Sequence, residues 1–126
     1  MIITFISDTH TKHHRVTATL PGGDLLIHSG DLMNSGYRKN DILEFLDWFD
    51  GIKGYDKKVF IAGNHDRYFE DRPDEIKDIL VDYPSIIYLE DQLVGIYDLD
   101  TDKSTKIWGS PWQPEFYDWA FNLPRQ

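Results

Sequence analysis

The 126-residue sequence predicts a single α/β domain with parallel pairing among its strands. Two observations carry that expectation. Short, β-branched apolar runs recur along the chain and alternate with segments of helical periodicity. Three of these runs also end alike: residues 2–6 run into Ser7-Asp8-Thr9-His10, residues 25–28 into Ser29-Gly30-Asp31, and residues 59–62 into Gly63-Asn64-His65-Asp66. Ligands bind an open α/β sheet at the carboxyl ends of its strands, so the three polar clusters are expected to share one edge.

The elements follow in order. Residues 2–6 are a continuous apolar run and read as a buried strand. Residues 11–16 are polar and basic, hence a loop. Pro21-Gly22-Gly23 turns the chain into a second strand over 24–28. Residues 34–39 are a loop, and Asn40 is placed to cap a helix that runs to Phe49 or Asp50. Ile42, Phe45, Leu46 and Phe49 recur at helical spacing along its inner face, and Gly51 and Gly54 bracket its end. The third strand spans 57–61. Residues 68–72 form a charged loop. Pro73 suits the first position of a helix, Ile76, Ile79 and Leu80 give it an apolar stripe, and Pro84 closes it. Residues 86–89 read as a fourth strand. Strands over 94–99 and 105–108 flank a hairpin turn. Residues 109–112 are a loop, and the sequence ends on an aromatic stretch over 119–126.

Composition narrows the function. Hydrophobic residues make up 40% and aromatic residues 14%, as in a folded domain. The net charge of -9 repels nucleic-acid phosphates and argues against broad DNA or RNA binding. There is no cysteine, so thiolate metal sites and disulfides are excluded. No run approaches the ~20 apolar residues of a membrane helix, and a cytoplasmic location is the expectation.

Asp8, His10, Asp31, Asn64 and His65 make the candidate site. Carboxylate, imidazole and amide oxygen suit divalent Mn, Fe or Zn. A carboxylate can bridge two ions, and two ions about 4 Å apart clamp the attacking and leaving oxygens of a displacement at phosphorus. That chemistry requires no side-chain nucleophile. His65 need not bind metal: it can donate a proton to the leaving oxygen or stabilise charge there. Asp66 can orient that imidazole.

Asp8-Thr9-His10, Gly30-Asp31 and Gly63-Asn64-His65-Asp66, in that order, resemble the first half of the calcineurin-like metallophosphoesterase signature. The stretches 6–11, 24–31, Gly109-Ser110-Pro111-Trp112-Gln113-Pro114 and Phe121-Asn122-Leu123-Pro124-Arg125 narrow the resemblance to the branch of metallophosphoesterase-domain-containing proteins, which is similar to class III phosphodiesterases. The resemblance implies a four-layer α/β/β/α sandwich. It implies that Asp8, His10 and Asp31 bind a first metal and that Asp31 bridges to a second, held also by Asn64. His65 is then the catalytic imidazole near the leaving group. The expected activity is hydrolysis of small phosphate esters, as a phosphodiesterase, through a metal-bridging hydroxide.

The family pattern continues with a strand ending in histidine and a G-H-x-H motif that have no counterpart here. The other histidines, His13, His14 and His28, all lie upstream. The chain is therefore expected to be an incomplete, amino-terminal portion of the domain, with three histidine ligands absent. A complementing carboxyl-terminal segment or a homo-oligomer could complete it. The competing expectations are one half of a two-chain enzyme and a non-catalytic binding module that uses an exposed sheet edge. Other residues receive structural readings: His28 as a hydrogen-bonded core histidine, His13 and His14 as a solvated loop. Asp41, Glu44, Asp47 and Asp50 read as a solvated helix face. Trp112 either lines a substrate pocket or packs at the core or rim. Phe116, Tyr117, Trp119 and Phe121 read as core or interface.

Overall fold

The computed structural model describes residues 1–124; Arg125, the last residue of the motif beginning at Phe121, lies outside them. Strands β1 (Ile3–Ile6), β2 (Leu25–His28), β3 (Lys57–Phe60) and β4 (Ile86–Tyr88) form one parallel sheet in the order β1-β2-β3-β4. Each strand pairs with the next in sequence, from Ile3↔Leu25 through Leu25↔Lys57 to Lys58↔Ile86. Parallel crossovers are right-handed. With the strands laid down in one direction, every crossover therefore stacks on the same face. Helices α1 (Lys39–Gly51), α2 (Arg67–Asp71) and α3 (Pro73–Leu80) occupy that face. The antiparallel hairpin β5 (Gln92–Asp98) and β6 (Lys103–Gly109) covers the other.

Strand alternation divides the core accordingly. Leu26, Phe60 and Ile86 point to the helices and pack with Phe45, Phe49 and Phe69. Leu25 and Val59 point the other way, onto Ile96 of the hairpin. Helix, parallel sheet and hairpin are three layers in the order expected for the amino-terminal part of the four-layer sandwich. Beyond the hairpin, Leu93 and Trp108 face each other across the strands and remain 58% and 62% exposed. A short parallel pair, β7 (Gln113–Pro114) and β8 (Asn122–Leu123), follows. No helix among the described residues is long and apolar enough to cross a membrane.

Several expectations are corrected. Residues His13–Thr19 form a 3₁₀ segment, not a solvated loop, because His13 is buried beneath it. Its ring lies 4.9 Å from that of Trp48 and 5.9 Å from that of Phe45. Residues Arg67–Asp71 are helical rather than a charged loop. Their charges pair along the outer side, Arg67 with Glu70 and Asp71, while Tyr68 and Phe69 are buried. Helix α1 begins at Lys39 with Arg38 at its cap, so Asn40 sits inside the first turn. Asp41 is buried there rather than solvated, at the end where the helix dipole favours a carboxylate. Helix α3 ends at Leu80, before Pro84.

Candidate metal centre

The three polar clusters do meet at the carboxyl edge of the sheet. Gly30 carries φ 103°, and a Cβ there would lie 2.7 Å from the Gly63 amide nitrogen. Gly63 is as confined, since its own Cβ would lie 2.5 Å from the Asp31 amide nitrogen. Only glycine lets these two loops touch. The first loop is tied to the second by backbone bonds. The N–H groups of Asp8, His10 and Thr11 donate to the carbonyls of Gly30, Asp31 and Leu32 at 2.9, 3.0 and 2.9 Å.

Asp66 ties the second loop to the third. It is fully buried, and its carboxylate accepts the backbone N–H groups of Gly63 (2.7 Å), Asp31 (2.8 Å), Met33 (2.9 Å) and Leu32 (3.3 Å). Burial pushes its pKa up to about 6, while the amides pull the other way. Three of these partners are backbone groups of the Asp31 loop and the fourth, Gly63, is on Asp66's own loop. Asp66 therefore orients loops rather than the His65 ring.

Within this frame, one donor atom from each of Asp8, His10 and Asp31 lies within 4.8 Å of the others. His10 Nδ1 bonds the Met33 carbonyl at 3.0 Å, which requires Nδ1 to carry a proton and makes Nε2 the nitrogen available to a metal. Nε2 faces Asp8 Oδ1 at 4.0 Å. A carbonyl fixing the tautomer from behind is the usual support of a metal-binding histidine. Asp31 Oδ1 accepts the His65 N–H at 2.9 Å. Its pKa is raised, chiefly by burial and further by the nearby Asp8 carboxylate. Asp8 is more exposed, and the Ser7 hydroxyl holds its pKa below the usual range. Two carboxylates and an imidazole, one carboxylate reluctant to ionise, fit a divalent cation of the Mn, Fe or Zn kind.

The backbone is strained where these groups sit. Asp8, His10, Thr11 and Asp31 have φ of 55°, 43°, 69° and 59°. Such conformations persist only where surrounding bonds over-determine them, and they cluster at functional sites. His28 lies beneath the site as a hydrogen-bonded core residue. Its Nδ1 accepts the Gly30 N–H (3.2 Å) and its Nε2 bonds Thr9 Oγ1 (2.9 Å). Burial pushes its pKa down to about 4 and keeps it neutral.

Asn64 and His65 continue the third loop. The Asn64 carbonyl accepts the Ala120 N–H at 2.9 Å. The His65 ring stands 5.0 Å from the His10 ring on one side and 4.2 Å from the Trp119 ring on the other. Trp112 packs by its ring against Phe121 at 5.3 Å, and its Nε1 donates to Asp91 (2.9 Å). Trp119 is the aromatic that sequence reasoning missed. Only its place in the terminal aromatic stretch pointed to it, and 54 residues separate it from His65.

The family described as calcineurin-like phosphoesterase matches residues 1–122. Two relatives called metallophosphoesterase domain-containing protein 1, from Homo sapiens and Mus musculus, are each 35% identical over 95% of this chain and 40% of their own. A probable rhamnogalacturonate lyase C of Emericella nidulans is 36% identical over 95% of this chain and 11% of its own. The chain thus spans about 40% of the length of the first two relatives.

Proposed function

The chain belongs to the calcineurin-like phosphoesterase family, and from that premise we propose that it carries the amino-terminal half-site of a dinuclear phosphodiesterase acting on small phosphate esters. The observation that supports this most is the approach of Asp8, His10 and Asp31 donor atoms to within 4.8 Å at the strand ends. Asp8, His10 and Asp31 would hold a first cation, and Asp31 with Asn64 would contribute to a second. When bound, divalent cations neutralise charge on the phosphate and acidify the attacking water. The rest falls to this chain's residues. His10 is kept in one tautomer by Met33. His65, beside His10, donates a proton to the leaving oxygen as the ester P–O bond breaks, giving a phosphate product and an alcohol. Asp66 is a positioning residue that holds the Asp31 and Asn64 loops together.

The test is direct. Titration calorimetry with Mn²⁺ on the chain, alongside hydrolysis of a phosphodiester, is compared with Asp31→Asn. The substitution is expected to lower turnover about a hundredfold or more and to abolish Mn²⁺ binding. Unchanged Mn²⁺ binding in Asp31→Asn would overturn the metal mechanism, as would unchanged turnover where the parent chain cleaves the diester.

A second reading is favoured by the exposed Leu93 and Trp108 on the outer hairpin face. It is a binding module, or one half of a two-chain enzyme, that docks a partner or a second copy there. Light scattering that shows a stable monomer with no uptake of apolar dye would count against it.

A further inference from the structure

We propose that Trp119 is a specificity-determining residue, forming with Phe116 and Tyr117 an aromatic wall that selects phosphate esters whose leaving group carries a flat ring. This rests on the phosphoesterase reading and extends it to the substrate. Trp119 meets the His65 ring at 4.2 Å and keeps 37% of its surface in solvent. Phe116 stands 5.0 Å from Trp119, and Tyr117 stands 6.0 Å from it. Both are open to solvent, at 46% and 74%. The three adjoining rings reach the site through Trp119 and together form one apolar surface beside His65.

The wall is held firmly. Ala120 N–H donates to the Asn64 carbonyl, and Arg67 Nη1 donates to the Asp118 carbonyl at 2.8 Å, so the residues on both sides of Trp119 are fixed to the His65 loop. Asn122 braces the turn from behind. Its amide donates to the Tyr117 carbonyl (2.8 Å) and its Oδ1 accepts the Phe116 N–H (3.2 Å). Tyr117 and Phe121 are held at φ 48° and 56°, which aromatic side chains rarely adopt. Core packing of Phe121 and Ala120 accounts for burying the base of this turn. It does not account for setting the Trp119 ring against the His65 imidazole. Since His65 serves the leaving oxygen, the group attached to that oxygen lies along the wall. A flat ring there gains stacked or edge-to-face contact that an alkyl chain lacks.

The test compares two diesters whose leaving alcohols have similar acidity, methyl 2-phenylethyl phosphate and methyl butyl phosphate, with Mn²⁺ present. Calorimetric binding of phenylphosphonate against methylphosphonate gives a readout independent of turnover. The aromatic member is expected to be favoured about tenfold in both kcat/KM and affinity. Trp119→Leu should bring both ratios close to one, and Trp119→Phe should retain most of the preference. Circular dichroism melts establish that each variant is folded. Equal handling of the two members by the parent chain overturns the proposal, as does a preference that survives in Trp119→Leu. If neither diester is cleaved, the phosphonate affinities decide. If neither phosphonate binds as well, the phosphoesterase reading itself fails and takes the proposal with it.

Discussion

The loops ending β1 and β2 hold Asp8, His10, Thr11 and Asp31 at φ between 43° and 69°, whereas the β5–β6 hairpin keeps seven regular pairs from Gln92↔Gly109 to Asp98↔Lys103. The loops bury polar groups and satisfy them: Asp66 takes four amides and His28 bonds at both ring nitrogens. The hairpin does the reverse. Its backbone is unstrained along the ladder, and its outer apolar side chains stay in solvent. Stability and chemistry are thus in tension at the loops and separable in the hairpin. A change at the loops should disturb folding and cation binding together. A change on the outer hairpin face should disturb neither.

The largest effect expected is at Asp66. Asp66→Asn keeps the size but removes the charge that four amides converge on, and it should destabilise the fold by about 3 kcal/mol or more. Urea denaturation gives the stability, and Mn²⁺ calorimetry at a temperature where the variant is folded gives the coupled loss of affinity. Full stability with lost affinity would show that the loops are held by something other than this carboxylate.

The next effect is set by pH. His28 stays neutral in the fold down to about 4, while the unfolded chain takes up a proton below about 6.5. At this group the unfolded state binds more protons in that window, so the stability that depends on neutral His28 is lost as pH falls from 6.5 toward 4. The loss is up to about 3 kcal/mol. Denaturation of the parent and of His28→Gln between pH 7 and 4.5 checks it. The variant starts less stable, and its disadvantage should narrow on acidification. Parallel curves would place the imidazole in contact with water.

The smallest effect is expected on the hairpin. Leu93→Thr, at a site 58% exposed, should change stability by no more than about 0.5 kcal/mol and leave Mn²⁺ affinity intact. A loss of several times that would mean the outer face is covered in solution, and sedimentation would then reveal the partner copy.

The strands were legible in the sequence because each carries a short apolar run that stops at a polar cluster, although β1 lies at the sheet edge with Phe5 66% exposed rather than buried as residues 2–6 suggest. The bounds held for β1 to β4 within a residue or so at each end. The edge carrying Asp8, His10, Asp31, Asn64 and His65 was legible for the same reason: each cluster follows its strand directly. Elements whose shape is set by distant packing were not legible. The segment His13–Thr19 is ordered by Trp48, and α2 by the burial of Tyr68 and Phe69, and neither has a periodic signal of its own. The two-residue strands β7 and β8 are too short for a pattern. Asp66 looked like a partner for its neighbour in sequence, whereas its amides come mostly from more than 30 residues away. Trp119 reached His65 by a fold-back that no local spacing encodes.

The parallel ladder of β1, β2 and β3 also sets when the site can exist. Asp8, Asp31 and Asn64 belong to different strands, so no single peptide segment can assemble the donors. Closing them together is a non-local event, and such events come late and slowly in folding. A slip of β2 by one residue against β1 would turn His28 and Leu26 to the wrong face. It would also move Asp31 by about 3.3 Å along the sheet. Ligand distances in metal sites hold to about 0.2 Å. A divalent cation would therefore bind only the correctly threaded sheet, and its binding would act as a proofreading step on strand register.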